Sequence, residues 1–372
     1  MPFGNTTETG IGKCQGHDKE SSLLELLVLE GYIYHGFSDS SLRLTFVNIM
    51  NVTFFPIISN MVLPTHVVVP EGSELFRFTG RAVNWIVDFY DFLVFSSLLL
   101  SIECIAMAYV SCIIQQVPWS AMTGIISFFV AFSIYNLNRK TDEDEDAINR
   151  QDRFAFTKRY ETPLFYASIL FLILALVLSG LYGILPLLAT VAPFVCGILY
   201  SFRLLPASLG YRRLKEIPAV KNIVVGFSWA ILLSLLPVYL NQGIPDSKTA
   251  ITFLLFFLWG FMASMIPDIR DRAGDASAGV RTIPVIFGEK RTRTYLTWVI
   301  LGLGLPALVF SVFFLPPFTT LLILAINLYS HGCVYLLNKT SLINFLADGI
   351  SDGQYIVLAG GIFIITYIHP YY

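Results

Sequence analysis

The chain has 372 residues, 55% hydrophobic and only 13% charged, with a formal net charge of -2 and a mean hydropathy of +0.68. A soluble domain carries about a quarter charged residues, so this composition excludes a water-covered globule and points to lipid as the solvent. The near-neutral charge gives no footing for nucleic acid, and five cysteines without CxxC spacing make neither a zinc site nor a disulfide framework.

Residues 1–80 read as an N-terminal extension, partly disordered or interfacial. The first 20 residues are polar and show no cleavable signal pattern. Ser22 to Leu29 could begin a short amphipathic helix. The apolar stretch from Leu44 to Leu63 is interrupted by Asn48, Asn51, Pro56 and Asn60, which suits an interfacial or re-entrant segment better than a span. Residues 81–92 mix aromatic and charged side chains, as an interfacial helix entering a first span would. Residues 81–372 form the expected transmembrane domain.

From about residue 92 onward, apolar runs alternate with short polar breaks. About 20 residues of helix span the hydrocarbon core. The expected spans are roughly 92–115, 118–136, 162–183, 185–202, 219–240, 249–267, 294–314, 318–337 and 354–370, an all-α polytopic bundle of about nine helices. Three loops, 138–160, 203–221 and 268–293, hold 17 of the 24 basic residues. With nine spans all three fall on one side, which the positive-inside rule assigns to the cytoplasm together with the N-terminus. Glu103 is the one charge deep within the first span; it either pairs with a neighbour or lines a pocket.

The chemistry lies in those loops. After the second span, Asn138, Asp142 and Asp146 recur at i, i+4 and i+8, within roughly 80° of arc on a helix. After the sixth, Asp268, Asp271 and Asp275 fall within about 60°. Like charges stacked this way repel, so two such stripes on one membrane face call for cations. A diphosphate is polyanionic, and carboxylates hold it only through a metal. Mg²⁺ takes one or two carboxylates and completes its shell with water and phosphate oxygens. Two acidic stripes therefore suggest two Mg²⁺ ions bridging to one diphosphate, where they would neutralise a leaving group. Tyr211, Lys215 and Lys221, in the remaining basic loop, could supply a hydroxyl and positive charge to phosphate oxygens.

The pattern NxxxDxxxD at 138–146, followed by DxxDxxxD at 268–275, resembles the UbiA superfamily of intramembrane prenyltransferases. The continuation through Gly274, Asp275, Gly279, Thr282, Pro284 and Gly288 is similar to that family's second signature. Tyr211 and Lys215 fall where the family has its YxxxK element. The resemblance covers roughly residues 80–372. It implies that Asn138, Asp142, Asp146, Asp268, Asp271 and Asp275 bind Mg²⁺ and diphosphate, with Asp142, Asp146, Asp271 and Asp275 catalytic. It further implies that Tyr211, Lys215, Lys221 and Arg150 contact the diphosphate. Two departures stand out: Arg139 replaces the Asp that many members have after the first Asn, and Asn149-Arg150 is not followed by Pro. They leave the subfamily, and hence the acceptor, open.

The expected activity is Mg²⁺-dependent transfer of a prenyl group from a prenyl diphosphate to a membrane-associated aromatic, quinone-type or lipid acceptor. A glyceryl phosphate ether-lipid transferase and a UbiA-type terpene cyclase are the alternatives. A non-enzymatic transporter is disfavoured, because the acids lie at helix ends rather than at mid-membrane. The expected setting is the cell membrane, multi-pass, with the motif loops cytoplasmic and membrane lipids as neighbours.

Overall fold

The computed structural model describes residues 74–141, 143–201, 206, 214, 217–277, 280–337, 343 and 346–368. The expectations for residues 1–73, and those for Asp142, Tyr211, Lys215 and Gly279, lie outside the described residues. The chain divides into two compact units, Met1–Asn84 and Trp85–Tyr372. Of the first, only residues 74–84 are described, as the opening turns of a helix.

Among the described residues all regular structure is helical. In chain order the helices are α1 (Glu74–Phe95), α2 (Leu98–Gln115), α3 (Ala121–Thr141), α4 (Glu143–Asn149), α5 (Gln151–Arg159), α6 (Glu161–Leu181), α7 (Ile184–Ser201), α8 (Val220–Leu240) and α9 (Ser247–Arg270). They continue with α10 (Arg272–Ser277), α11 (Ile283–Phe287), α12 (Glu289–Val299), α13 (Leu305–Phe314), α14 (Pro317–Leu336) and α15 (Ser351–Ile368). A π-helical stretch, Ile300–Gly304, joins α12 to α13, and a π-turn, Leu346–Ile350, leads into α15.

Seven of these stretches are long and apolar enough to cross a membrane: α2, α3, α6, α8, α9, the continuous Glu289–Phe314 segment and α14. The two other expected spans contain shorter apolar helices, Ile184–Leu199 and Gly353–Ile364. The expected first span, from residue 92, is interrupted. Helix α1 runs to Phe95, and α2 starts only at Leu98 after Ser97 adopts φ 65. At the break Arg139 on α3 donates to the Phe95 carbonyl and to the Val94 carbonyl, which also accepts from the Ser97 amide at 3.2 Å.

Side-chain size shows where lipid lies. On α6 the buried residues are Ser168, Ala175 and Ser179, while Leu170, Ile173, Val177 and Leu181 are exposed. In water the pattern would be reversed. In lipid, small residues let helices approach and large apolar ones face the acyl chains. Buried hydroxyl and amide groups bond across helices: Ser111 Oγ to the Leu233 carbonyl at 2.5 Å, Gln115 Nε2 to the Ser234 carbonyl at 3.0 Å, and Ser133 Oγ to the Ser168 carbonyl at 2.9 Å.

The tightest approach is between α8 and α9. A Cβ on Gly226 would lie 2.8 Å from the Phe257 carbonyl oxygen, and one on Gly260 would lie 2.9 Å from the Gly226 Cα. These glycines bring the two backbones together and so hold the start of α8 beside the end of α9. That juxtaposition builds half of the site.

Candidate active site

The first motif lies on α3 and α4, with Asp142, outside the described residues, between Thr141 and Glu143. Asn138 is half-buried in the last turn of α3, and Asp146 is buried on α4. Asp146 pairs with Arg153 Nη2 at 2.5 Å. Arg150, between α4 and α5, leaves the helical conformation with φ -143 and ψ 71. Its guanidinium is buried over the Phe95 ring.

The second motif turns a corner. Asp268 lies on α9 directly after Pro267, Asp271 caps that helix with φ -85 and ψ 2, and Asp275 lies on α10. Here the continuous stripe expected from the spacing gives way to a bend. The bend nevertheless keeps the carboxylates in electrostatic contact: burial first, and then the Asp268 carboxylate, push the Asp275 carboxyl up to about 6. Asp268, only 3% exposed, accepts from Lys221 Nζ at 2.5 Å and from Asn222 Nδ2 at 3.3 Å, both on α8. Asn222 also donates to Ser264 Oγ at 2.9 Å.

One side-chain bond joins the motifs directly. Asn149 Nδ2, at the end of α4, donates to Asp275 Oδ1 at 3.0 Å, and Thr282 Oγ1 donates to the other carboxylate oxygen at 3.4 Å. Gly274 makes room for this bond, since a Cβ there would lie 1.6 Å from Asn149 Oδ1. Beside it opens a cleft of about 680 Å³, lined by Asn149, Arg150, Arg270, Asp271 and Gly274 among others. Arg270 grips Asp271 with two bonds, of 2.7 and 2.9 Å. Among the described residues no three acidic, His or Cys side chains are gathered closely enough to hold a metal by themselves.

The chain matches the model of the UbiA prenyltransferase family over residues 96–345. It belongs to that family. A curated UbiA relative, the digeranylgeranylglyceryl phosphate synthase of Methanobrevibacter smithii, is 24% identical over 275 residues, 71% of this chain and 94% of that protein. The enzyme of the same name from Thermococcus kodakarensis is 28% identical over 178 residues, 45% of this chain and 58% of that protein. Among solved structures, a UbiA homolog from Archaeoglobus fulgidus bound to GPP and Mg²⁺ superposes with a TM-score of 0.54 at 16% identity, covering 73% of this chain and 99% of that one. An apo UbiA homolog from Aeropyrum pernix K1 gives 0.50 at 15% identity, covering 69% and 97%. At such identity the likeness establishes the UbiA fold.

Within that fold the structure gathers Asp268, Asp271, Asp275, Lys221 and Arg150 around one region. Asparagines 149 and 222, with Arg153, Arg270 and Asp348, are polar partners of the site that the motif reading did not single out. Asn149 had a signal, since it continues the first motif three residues beyond Asp146. Asp348 had none, being 198 residues from Arg150 and 78 from Arg270.

Proposed function

We propose that this UbiA prenyltransferase transfers a prenyl group from a Mg²⁺-complexed prenyl diphosphate to a lipid-soluble acceptor, and that residues 81–372 carry the activity. The observation that supports it most is the direct Asn149–Asp275 bond, which holds the two acidic motifs together at the edge of a cleft of about 680 Å³.

The donor set suits Mg²⁺. Asp275 is driven toward its neutral form by burial and by Asp268, so added positive charge relieves a strain already present. Fewer than three acids converge at any described point, which leaves coordination positions for water and phosphate, the mixed shell Mg²⁺ prefers. Asp268, Asp271 and Asp275, together with Asn138, Asp142 and Asp146, would hold it. When bound, the metal supplies charge neutralisation for a departing diphosphate.

The protein's own groups do the rest. Lys221, now on Asp268, is placed to turn to a phosphate oxygen once the carboxylate has a metal. Arg150, at the cleft wall, offers planar donors to the same anion, and Tyr211 and Lys215 belong to the same binding role. In the transfer, the C1–O bond of the prenyl diphosphate breaks with its electron pair leaving on diphosphate. The acceptor's nucleophilic atom bonds to C1 and loses a proton. The charge bias of the three basic loops supports a cytoplasmic setting for this chemistry.

The curated relatives favour a glyceryl phosphate lipid as the first acceptor to test, with a geranylgeranyl donor. Membranes stripped of native lipid, incubated with geranylgeranyl diphosphate, Mg²⁺ and geranylgeranylglyceryl phosphate, should yield an EDTA-sensitive adduct. A quinone-type acceptor turning over instead would redirect the acceptor; a terpene formed without any acceptor would establish a cyclase. Full turnover by Asp271→Ala would overturn the metal-site assignment.

A further inference from the structure

The π-turn Leu346–Ile350 brings an acid from the far end of the chain into the site. Asp348 Oδ2 accepts from Arg150 Nη1 at 2.5 Å, and its Oδ1 accepts from Arg270 Nη1 at 2.8 Å. Both arginines line the cleft, and both side chains are less than a tenth exposed. Burial opposes ionisation of Asp348, but Arg270 and Arg150 outweigh it and hold its carboxyl below the usual range.

A guanidinium is a rigid planar fork, so fixing one edge fixes the other. Arg270 turns its Nη1 toward Asp348 and its Nε and Nη2 toward Asp271. The orientation of the Asp271 carboxylate is thereby tied to Asp348, through Arg270. The Asp348 carboxylate also holds Arg150, which sits between α4 and α5. Both Asp348 oxygens are engaged by guanidinium groups, which leaves this acid in a supporting rather than a ligating role.

We infer that Asp348 is a positioning residue for the transfer reaction, bridging Arg150 and Arg270 so that Arg150 faces the diphosphate and Asp271 faces its metal. The inference rests on the proposed Mg²⁺-diphosphate chemistry and adds to it a third segment, outside both acidic motifs, that sets the geometry of each. Without the bridge, two buried guanidiniums have no shared counter-ion, and Arg150 is left with Asp152 alone and Arg270 with Asp271 alone.

The test compares wild type, Asp348→Asn and Asp348→Glu in lipid nanodiscs. It measures Mg²⁺-dependent binding of inorganic diphosphate by thermal shift, transfer kinetics, and the midpoint of unfolding without ligand. Removing a partner that orients a metal-binding group costs about 10- to 100-fold. Asp348→Asn is expected to weaken Mg²⁺-diphosphate binding and raise the KM for prenyl diphosphate by that factor. Asp348→Glu should recover a substantial part of both. Unchanged affinity and KM in Asp348→Asn, with kcat falling only as the folded fraction falls, would reduce the residue to a fold contact. Tighter diphosphate binding in Asp348→Asn would overturn the inference in the opposite sense, showing that the carboxylate competes with the substrate. If Asp348→Asn does not fold, the comparison rests on Asp348→Glu, whose full loss of binding in a folded protein would equally refute charge-based positioning. A wild type that neither binds Mg²⁺-diphosphate nor transfers a prenyl group would refute the underlying function, an outcome distinct from the others.

Discussion

Asn149 donates its side-chain amide to the Asp275 carboxylate at 3.0 Å, joining residues 126 positions apart in the chain. Gly274 is the residue that permits it, because any side chain there would collide with the Asn149 oxygen. Two motifs that the sequence presents as separate are in this way one object.

Gly274→Ala should therefore break the contact from the side. We expect activity to fall about tenfold or more, with a stability loss of about 1–3 kcal/mol from overpacking. Asn149→Ala removes the obstructing amide, so the double variant should be less damaged than the sum of the two singles. Kinetics and unfolding of all four proteins form the cycle, and strict additivity would mean that the residues do not touch.

Lys221 neutralises a deeply buried carboxylate, Asp268. Removing one partner of a buried pair costs about 3–5 kcal/mol; Lys221 is a quarter exposed, so roughly half of that is expected for Lys221→Ala in EDTA. Saturating Mg²⁺ should restore much of the loss, since a cation replaces the ammonium. Thermal unfolding with and without Mg²⁺ reads this directly, and equal losses in both conditions would argue against metal at Asp268.

Asp275 gives a pH dependence with a definite sign. Its carboxyl is pushed up to about 6 from an ordinary value near 4. A raised folded value favours the protonated form, so this group's stabilisation is complete below about pH 4 and is lost as pH rises through 6. Mg²⁺ must displace that proton, and its affinity should fall by up to about tenfold per pH unit below 6. Isothermal titration from pH 5 to 8 measures the slope, which Asp275→Asn should flatten.

Arg139 occupies a position where the family resemblance leads one to expect an acid, yet it caps the end of α1 through the Val94 and Phe95 carbonyls. Arg139→Asp should leave the acidic motifs intact but release α1, raising hydrogen exchange at residues 94–97 before any loss of diphosphate binding. Exchange unchanged from wild type would show that the α1 end is held by other contacts.

The family, the membrane setting and the acidic motifs were legible because each has a local signature: long apolar runs, i, i+4 spacings, and charges at helix ends. The breaks were not. Asp268 to Asp275 read as a single helical face, whereas the chain turns at Asp271. At that bend Pro267 and the closely spaced acids favour an interrupted helix over a straight one. The Ser96–Ser97 break lacks glycine and proline altogether and is met by Arg139, 42 residues further on. Asp348 was invisible for the same reason, as its partners are defined only by tertiary packing.

The glycine crossing of α8 and α9 has a mechanical consequence. Lys221 lies five residues before Gly226 and Asp268 eight after Gly260, so the two groups sit about 7 and 12 Å along their helices from the pivot. A tilt of roughly 5° at that pivot moves the Asp268 end by about 1 Å, a displacement large enough to cost about a hundredfold in rate. Tilting is how a spanning helix adapts to the thickness of its bilayer. Changing the acyl length of the surrounding lipid is therefore expected to change the catalytic rate, with the glycine pivot as the lever between them.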